Sequence, residues 1–122
     1  MKQDDANAEL EKRMELTLLY DFYGALLKKN VGDMFEAYIC DDCSLSEIAA
    51  MQNITRQGVH DAVKRCSKQL YEYEEKLGLV KKFRSHKAIG EEIASLVRKI
   101  QVPEYQEQLQ RILELTVQLT ED

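Results

Sequence analysis

A single proline, Pro103, punctuates 122 residues, and no stretch alternates apolar and polar residues long enough for a strand. Proline is the residue that interrupts helices most sharply. Its near absence, with apolar residues recurring every three or four positions, confines the chain to helices. Leu18, Leu19, Phe22, Leu26 and Leu27 predict a first helix from about Leu10 to Lys28. Asp4, Asp5 and Glu9 suit its N-terminal side, and Lys28 and Lys29 suit its C-terminal end. Asn30 is placed to N-cap a short helix through Cys40 that buries Phe35, Tyr38 and Ile39.

After the turn Asp41-Asp42-Cys43, Ser44-Leu45-Ser46-Glu47 is a capping box opening a short helix that ends near Met51. Leu45, Ile48 and Ala49 form its apolar face. Gln52-Asn53-Ile54 is a tight connection, and Thr55 caps a long helix. Val59, Ala62, Val63, Cys66, Leu70, Tyr73 and Leu77 line one side of that helix, and Gly78 suits its C-terminal cap, where a positive φ is needed. Short capped helix, three-residue turn and longer helix together make a helix-turn-helix. Arg56, Gln57, His60, Lys64, Arg65 and Lys68 point outward, with Asp61 among them. Arg56 and Gln57 are placed for base edges, and Lys64, Arg65 and Lys68 for phosphates. A solvated helix face has the same pattern, so nucleic-acid binding and a purely structural face both stay open.

Ile89, Ile93, Leu96, Val97 and Ile100 form a further stripe, and Pro103 suits the first turn of a last helix. Tyr105, Leu109, Ile112, Thr116 and Leu119 follow near-heptad spacing. The seam Leu70, Tyr73 and Leu77 runs past what a small core can cover, so its second half must lean on residues 81–122 or on a second copy. A homodimer is expected. The basic run Lys81 to Lys87 reads as an exposed connection between helices more readily than as a phosphate-binding strip.

With 17 Lys and Arg against 22 Asp and Glu, the net charge is −5, which argues against a general polyanion coat. Positive charge concentrates at 81–99, with six Lys or Arg against two Glu. At 44% hydrophobic and 32% charged, the chain is neither wholly disordered nor fibrous. No apolar run approaches the roughly 18 residues of a membrane span, so no membrane insertion is expected. The polar, acidic start is unlike a signal peptide, and three cysteines fit free thiols in a reducing, cytoplasmic setting. Cys40-x-x-Cys43 has the spacing of half a zinc site, but His60, Cys66 and His86 offer no second close pair. Neither histidine has an evident nucleophile or paired carboxylate, and the five glycines are scattered. No metal, cofactor or catalytic activity is expected.

The stretch Tyr38 to Ala49, then Ile54-Thr55-Arg56-Gln57-Gly58-Val59 and Val63-Lys64-Arg65, resembles region 4 of bacterial sigma-70-type factors. With Leu18-Leu19-Tyr20-Asp21-Phe22-Tyr23 and Tyr71 to Leu79, the chain is more closely similar to the YlxM-like helix-turn-helix proteins of Gram-positive bacteria and mollicutes, over residues 14–83. That resemblance implies an all-α protein. It would have a three- or four-helix domain resembling sigma-70 region 4 over 1–83, and the apolar stripes beyond it add a C-terminal helical extension over 84–122, for oligomerisation or as a lid. It also implies a regulatory role with nucleic acid as partner, DNA ahead of RNA. The family is usually encoded beside the signal recognition particle GTPase, so components of that pathway are implied partners. Sigma region 4 also docks proteins, which keeps an adaptor without nucleic-acid binding as the alternative. Two departures stand out: Gly58 where the family tends to carry Ala, and Asp61 on the presumed reading face.

Overall fold

The computed structural model describes residues 2–121, which form six α-helices and, among the described residues, no strand. They are α1 (Lys2–Tyr23), α2 (Lys29–Ile39), α3 (Leu45–Gln52), α4 (Arg56–Leu77), α5 (Leu79–Lys99) and α6 (Gln106–Thr120). Short 3-10 turns, Gly24–Leu26 and Pro103–Tyr105, precede α2 and α6. The chain divides into two compact units after Gly78, whereas the expected division lay at 83/84.

In the first unit α1 begins at Lys2 rather than near Leu10, and it ends at Tyr23 rather than Lys28. Residues 5–12 are exposed, so their helix rests on intrinsic propensity, for which Ala, Glu and Lys are well suited. The 3-10 turn then reverses the chain and tucks Leu27 into the core. Asn30 does not cap α2. Lys28 occupies the N-cap, without a side-chain bond, and its carbonyl accepts from Gly32 at 2.8 Å. Burial of Leu27, not cap chemistry, fixes where α2 starts.

Leu19 and Tyr23 from α1, Phe35 from α2, Ile48 from α3 and Val59, Cys66 and Leu70 from α4 are fully buried. Each such apolar side chain contributes on the order of 1.5–3 kcal/mol. The second half of α4 leans on α1. The Tyr23 hydroxyl donates to Glu74 Oε1 at 2.6 Å, its ring lies 5.9 Å from that of Tyr73, and Tyr71 donates to Glu15 at 3.0 Å. The buried seam of α4 therefore ends at Leu70, covered from within its own unit, and Leu77 is exposed. The second half of α4 thus leans in part on α1, while Leu77 stays uncovered. Gly78 closes α4 at φ 63°, a left-handed conformation that glycine adopts without steric cost.

The second unit is a hairpin of α5 and α6. The basic run 81–87 is the first part of α5, not a connection, because Lys and Arg are good helix formers and nothing there breaks the helix. Gly90 lies against Thr116 and Thr120, while Val97 lines a groove with Leu109 and Leu113, so the two helices run antiparallel. A Cβ on Gly90 would come within 2.6 Å of Thr120 Cγ2. The helices meet through small residues: Gly90, Ala94 and Val97 of α5 and Thr116 of α6 are buried. The Thr116 and Thr120 hydroxyls donate back to carbonyls of their own helix.

The apolar stripes read from the sequence mostly miss this seam. Of the first, Val97 is buried and Ile93 half-buried, while Ile89, Leu96 and Ile100 are exposed. Of the second, Thr116 is buried and Leu109 half-buried, while Tyr105, Ile112 and Leu119 are exposed. No helix among the described residues is long and apolar enough to cross a membrane.

Candidate nucleic-acid interface

Two caps shape the site. At α3 the Glu47 amide donates to Ser44 Oγ at 3.1 Å, and the Ser44 amide donates to Glu47 Oε1 at 3.3 Å, completing the capping box. The helix ends at Asn53 in the left-handed conformation, φ 55°, with the amides of Asn53 and Ile54 both donating to the Ala49 carbonyl. Asn tolerates that region better than most non-glycine residues. Thr55 Oγ1 then accepts from the Gly58 amide at 3.0 Å and starts α4. The turn Asn53-Ile54-Thr55 thus joins an eight-residue helix to one of 22 residues.

Val59, Ala62, Val63 and Cys66 anchor α4 inward, and all six sequence-predicted contact residues are exposed. They do not all share one surface. Arg56, Gln57 and His60 line one shallow depression with Leu45. His60 and Lys64 line the adjoining groove, of about 380 Å³. Lys68 lies one turn beyond Lys64. Arg65 lies on the other flank, beside Lys28 and Gln69.

Asp61 is engaged rather than bare. Gln57 Nε2 donates to its Oδ1 at 3.1 Å, and His60 Nδ1 lies 3.6 Å from the same oxygen. These groups are exposed, so the contacts hold little energy. Their effect is orientation: the Gln57 NH₂ is tied to Asp61.

Two α1 residues escape sequence reasoning. Lys12 and Arg13 line the same groove as His60 and Lys64. Arg13 donates to the Tyr38 carbonyl, to the Ile39 carbonyl at 3.4 Å and to Asp42 at 3.0 Å, and it stacks 5.3 Å over the Tyr38 ring. It binds the carbonyl end of α2, where a cation is favoured, and holds the turn that leads into α3. Lys12 lines the groove that Lys64 lines, as does Glu9. The contacts of Arg13 span 25 to 29 residues, so no local pattern signals them.

The thiols are separated by environment. Cys66 is core, and burial pushes its thiol above the usual range. Cys40 is exposed and also pushed up, first by partial desolvation and then by the carboxylates of Glu36, Asp21 and Asp41. Neither environment favours a thiolate.

Residues 10–112 match the model of the UPF0122 family, described as "Putative helix-turn-helix protein, YlxM / p13 like". The chain belongs to this family. A UPF0122 protein of Caldanaerobacter subterraneus subsp. tengcongensis is 58% identical over 67 residues, which cover 55% of this chain and 57% of the relative. One from Thermoanaerobacter sp. strain X514 is 39% identical over 107 residues, 88% of this chain and 89% of the relative. A third, from Clostridium perfringens strain 13, is 41% identical over 90 residues, covering 74% and 80%. The longer UPF0122 matches run well beyond the helix-turn-helix.

Proposed function

We propose that this UPF0122 protein is a nucleic-acid-binding regulator, and that the N-terminal half of α4 is its reading element. The observation that carries this is one exposed arc behind the Thr55 cap holding Arg56, Gln57, His60 and Lys64, with Lys12 of α1 on the same groove rim. Arg56 and Gln57 sit in the first turn, where helix-turn-helix proteins touch base edges, and the lysines follow for phosphates. Duplex DNA is favoured over RNA, since an α-helix fits the wide major groove of B-DNA and not the narrow one of A-form RNA. The activity is binding, not catalysis, and it takes place in the cytoplasm. The protein acts as a homodimer through its C-terminal extension. The family's link to the signal recognition particle makes that pathway its field of action and its components candidate partners.

A second reading has its own support. Asp61 flanks the arc and holds Gln57, and the chain is net acidic, as suits an adaptor that keeps the shape without the binding. Fluorescence anisotropy with a mixed-sequence 20-base-pair DNA duplex and with a structured RNA hairpin, from low to physiological salt, separates the two. The regulator binds the duplex at low salt and releases it steeply as salt rises. An adaptor binds neither at any salt.

A further inference from the structure

Two grooves run along opposite flanks of α4. One lies toward α1 and is lined by Lys12, Arg13, His60 and Lys64, with Glu9 as its one carboxylate. The other, of about 350 Å³, lies toward the start of α2 and is lined by Lys28 and Arg65, with no carboxylate. At its base the Cys66 thiol donates to the Val31 carbonyl at 3.9 Å, which ties the start of α2 to α4. Lys28 and Arg65 are both exposed, and among the described residues neither makes an ion pair. Leu27 beside Lys28 and Cys66 beside Arg65 are buried, so both cations sit on backbone that the core holds in place.

Helical phase sets the two flanks apart. At about 100° per residue, His60 and Arg65 lie roughly 70° to opposite sides of the direction facing straight away from Val59, Ala62, Val63 and Cys66, with Lys64 on the His60 side. Asp61 lies between Gln57 and Arg65, roughly 40° from each, and its carboxylate already accepts from Gln57. An α-helix with its side chains is about 10–12 Å across, and the major groove of B-DNA is about 12 Å wide. A helix seated there brings its two flanks against the two phosphate backbones. Resting on the reading of α4 as the element that enters the major groove, we propose that Arg65 and Lys28 bind the phosphates of one DNA strand while Lys64 and Lys12 bind those of the other. Lys28 lies outside the helix-turn-helix, at the N-cap of α2, where its side chain caps nothing and its ammonium group is left for a ligand. The grip is sequence-independent: it fixes the seating of α4 and leaves the reading of bases to Arg56 and Gln57.

Fluorescence anisotropy of the full chain with mixed-sequence DNA duplexes, titrated over salt concentration, tests the grip. Lys28→Ala and Arg65→Ala should each weaken binding to every duplex alike and flatten the plot of log K against log salt by about 0.9. Lys28→Ala combined with Lys64→Ala should flatten it by about 1.8, because the two lysines meet different strands. Lys76→Ala, at the far end of α4, should keep the parent's slope. Lys28→Gln repeats the test should Lys28→Ala melt below the parent by circular dichroism. A parent that binds duplex while the Lys28 variants keep its slope overturns the two-edged grip and leaves α4 as the reading element. Equal flattening by Lys76→Ala overturns it as well, since the effect would then be one of overall charge. A double variant no flatter than either single places both lysines on one phosphate and overturns the assignment to two strands. A parent that binds no duplex at low salt overturns the reading of α4, and the grip falls with it.

Discussion

The two units bury opposite kinds of side chain. The first closes around Leu19, Tyr23, Phe35, Ile48 and Leu70, all large and fully buried, drawn from four helices. The hairpin seam of the second closes around Gly90, Ala94, Val97 and Thr116, with Ile93, Leu109 and Leu113 half-buried, and Ile89, Leu96, Ile112, Leu115 and Leu119 lie open. Four helices can enclose a centre, whereas two have only a line of contact, and small residues bring that line close. The first unit thus encloses large apolar side chains, and the second joins its two helices through small ones. An apolar stripe in a sequence states that something must cover it, not what does.

The largest test of this contrast compares one core residue from each unit. Phe35→Ala should cost about 3–5 kcal/mol in urea unfolding, through lost burial and a cavity that four packed helices cannot fill. Val97→Ala should cost only about 1–2 kcal/mol, because a narrow helix–helix seam can close up. Equal losses would erase the distinction between the units.

A second test probes the closest approach in the hairpin. Gly90→Ala places a methyl group against Thr120 Cγ2. Overpacking of this kind costs on the order of 1–3 kcal/mol, partly offset by the better helix propensity of alanine. A net loss of about 1 kcal/mol is expected in thermal unfolding. In a Thr120→Ser background, which removes Cγ2 and keeps the hydroxyl, the same change should become stabilising. A loss that persists there would place the obstruction elsewhere.

The smallest effect belongs to the first unit. Gly58 is helical, and a Cβ there would sit 3.1 Å from Thr55 Oγ1. Glu47 occupies the same third position over Ser44 with a full side chain and a similar cap bond. Gly58→Ala should therefore gain about 0.5 kcal/mol by restricting the unfolded chain. A loss would mean that the cap oxygen cannot yield.

Features set by neighbouring residues were legible in the sequence. Ser44, Thr55 and Gly78 mark helix ends through bonds made within four residues, and all three sit where their chemistry requires. The inward line from Val59 to Leu70 was equally plain, since only one side of α4 is apolar there. Asn30 misled because burial of Leu27 sets the start of α2, and burial depends on the whole fold. The run 81–87 looks like a loop by its charge, although Lys and Arg propagate helices well and it lies within α5. In the extension, Val97 and Thr116 of the two stripes lie in the seam, but so do Gly90 and Ala94, which a pattern of large residues does not mark. On α4 the outward placement of the six candidate residues follows from helical phase alone. Lys12, the Arg13 clasp and the separation of Arg65 depend on which helices flank α4 in three dimensions.

The most direct measurement of the central claim is the salt dependence of duplex binding by the parent and by Lys64→Ala, with log K plotted against log salt concentration. If the α4 arc meets the phosphate backbone, the parent gives a steep linear slope of about −0.9 per neutralised phosphate, and Lys64→Ala weakens all duplexes alike and flattens the slope by about one such unit. A parent that fails to bind duplex at low salt, or a Lys64→Ala slope identical to that of the parent, would contradict it.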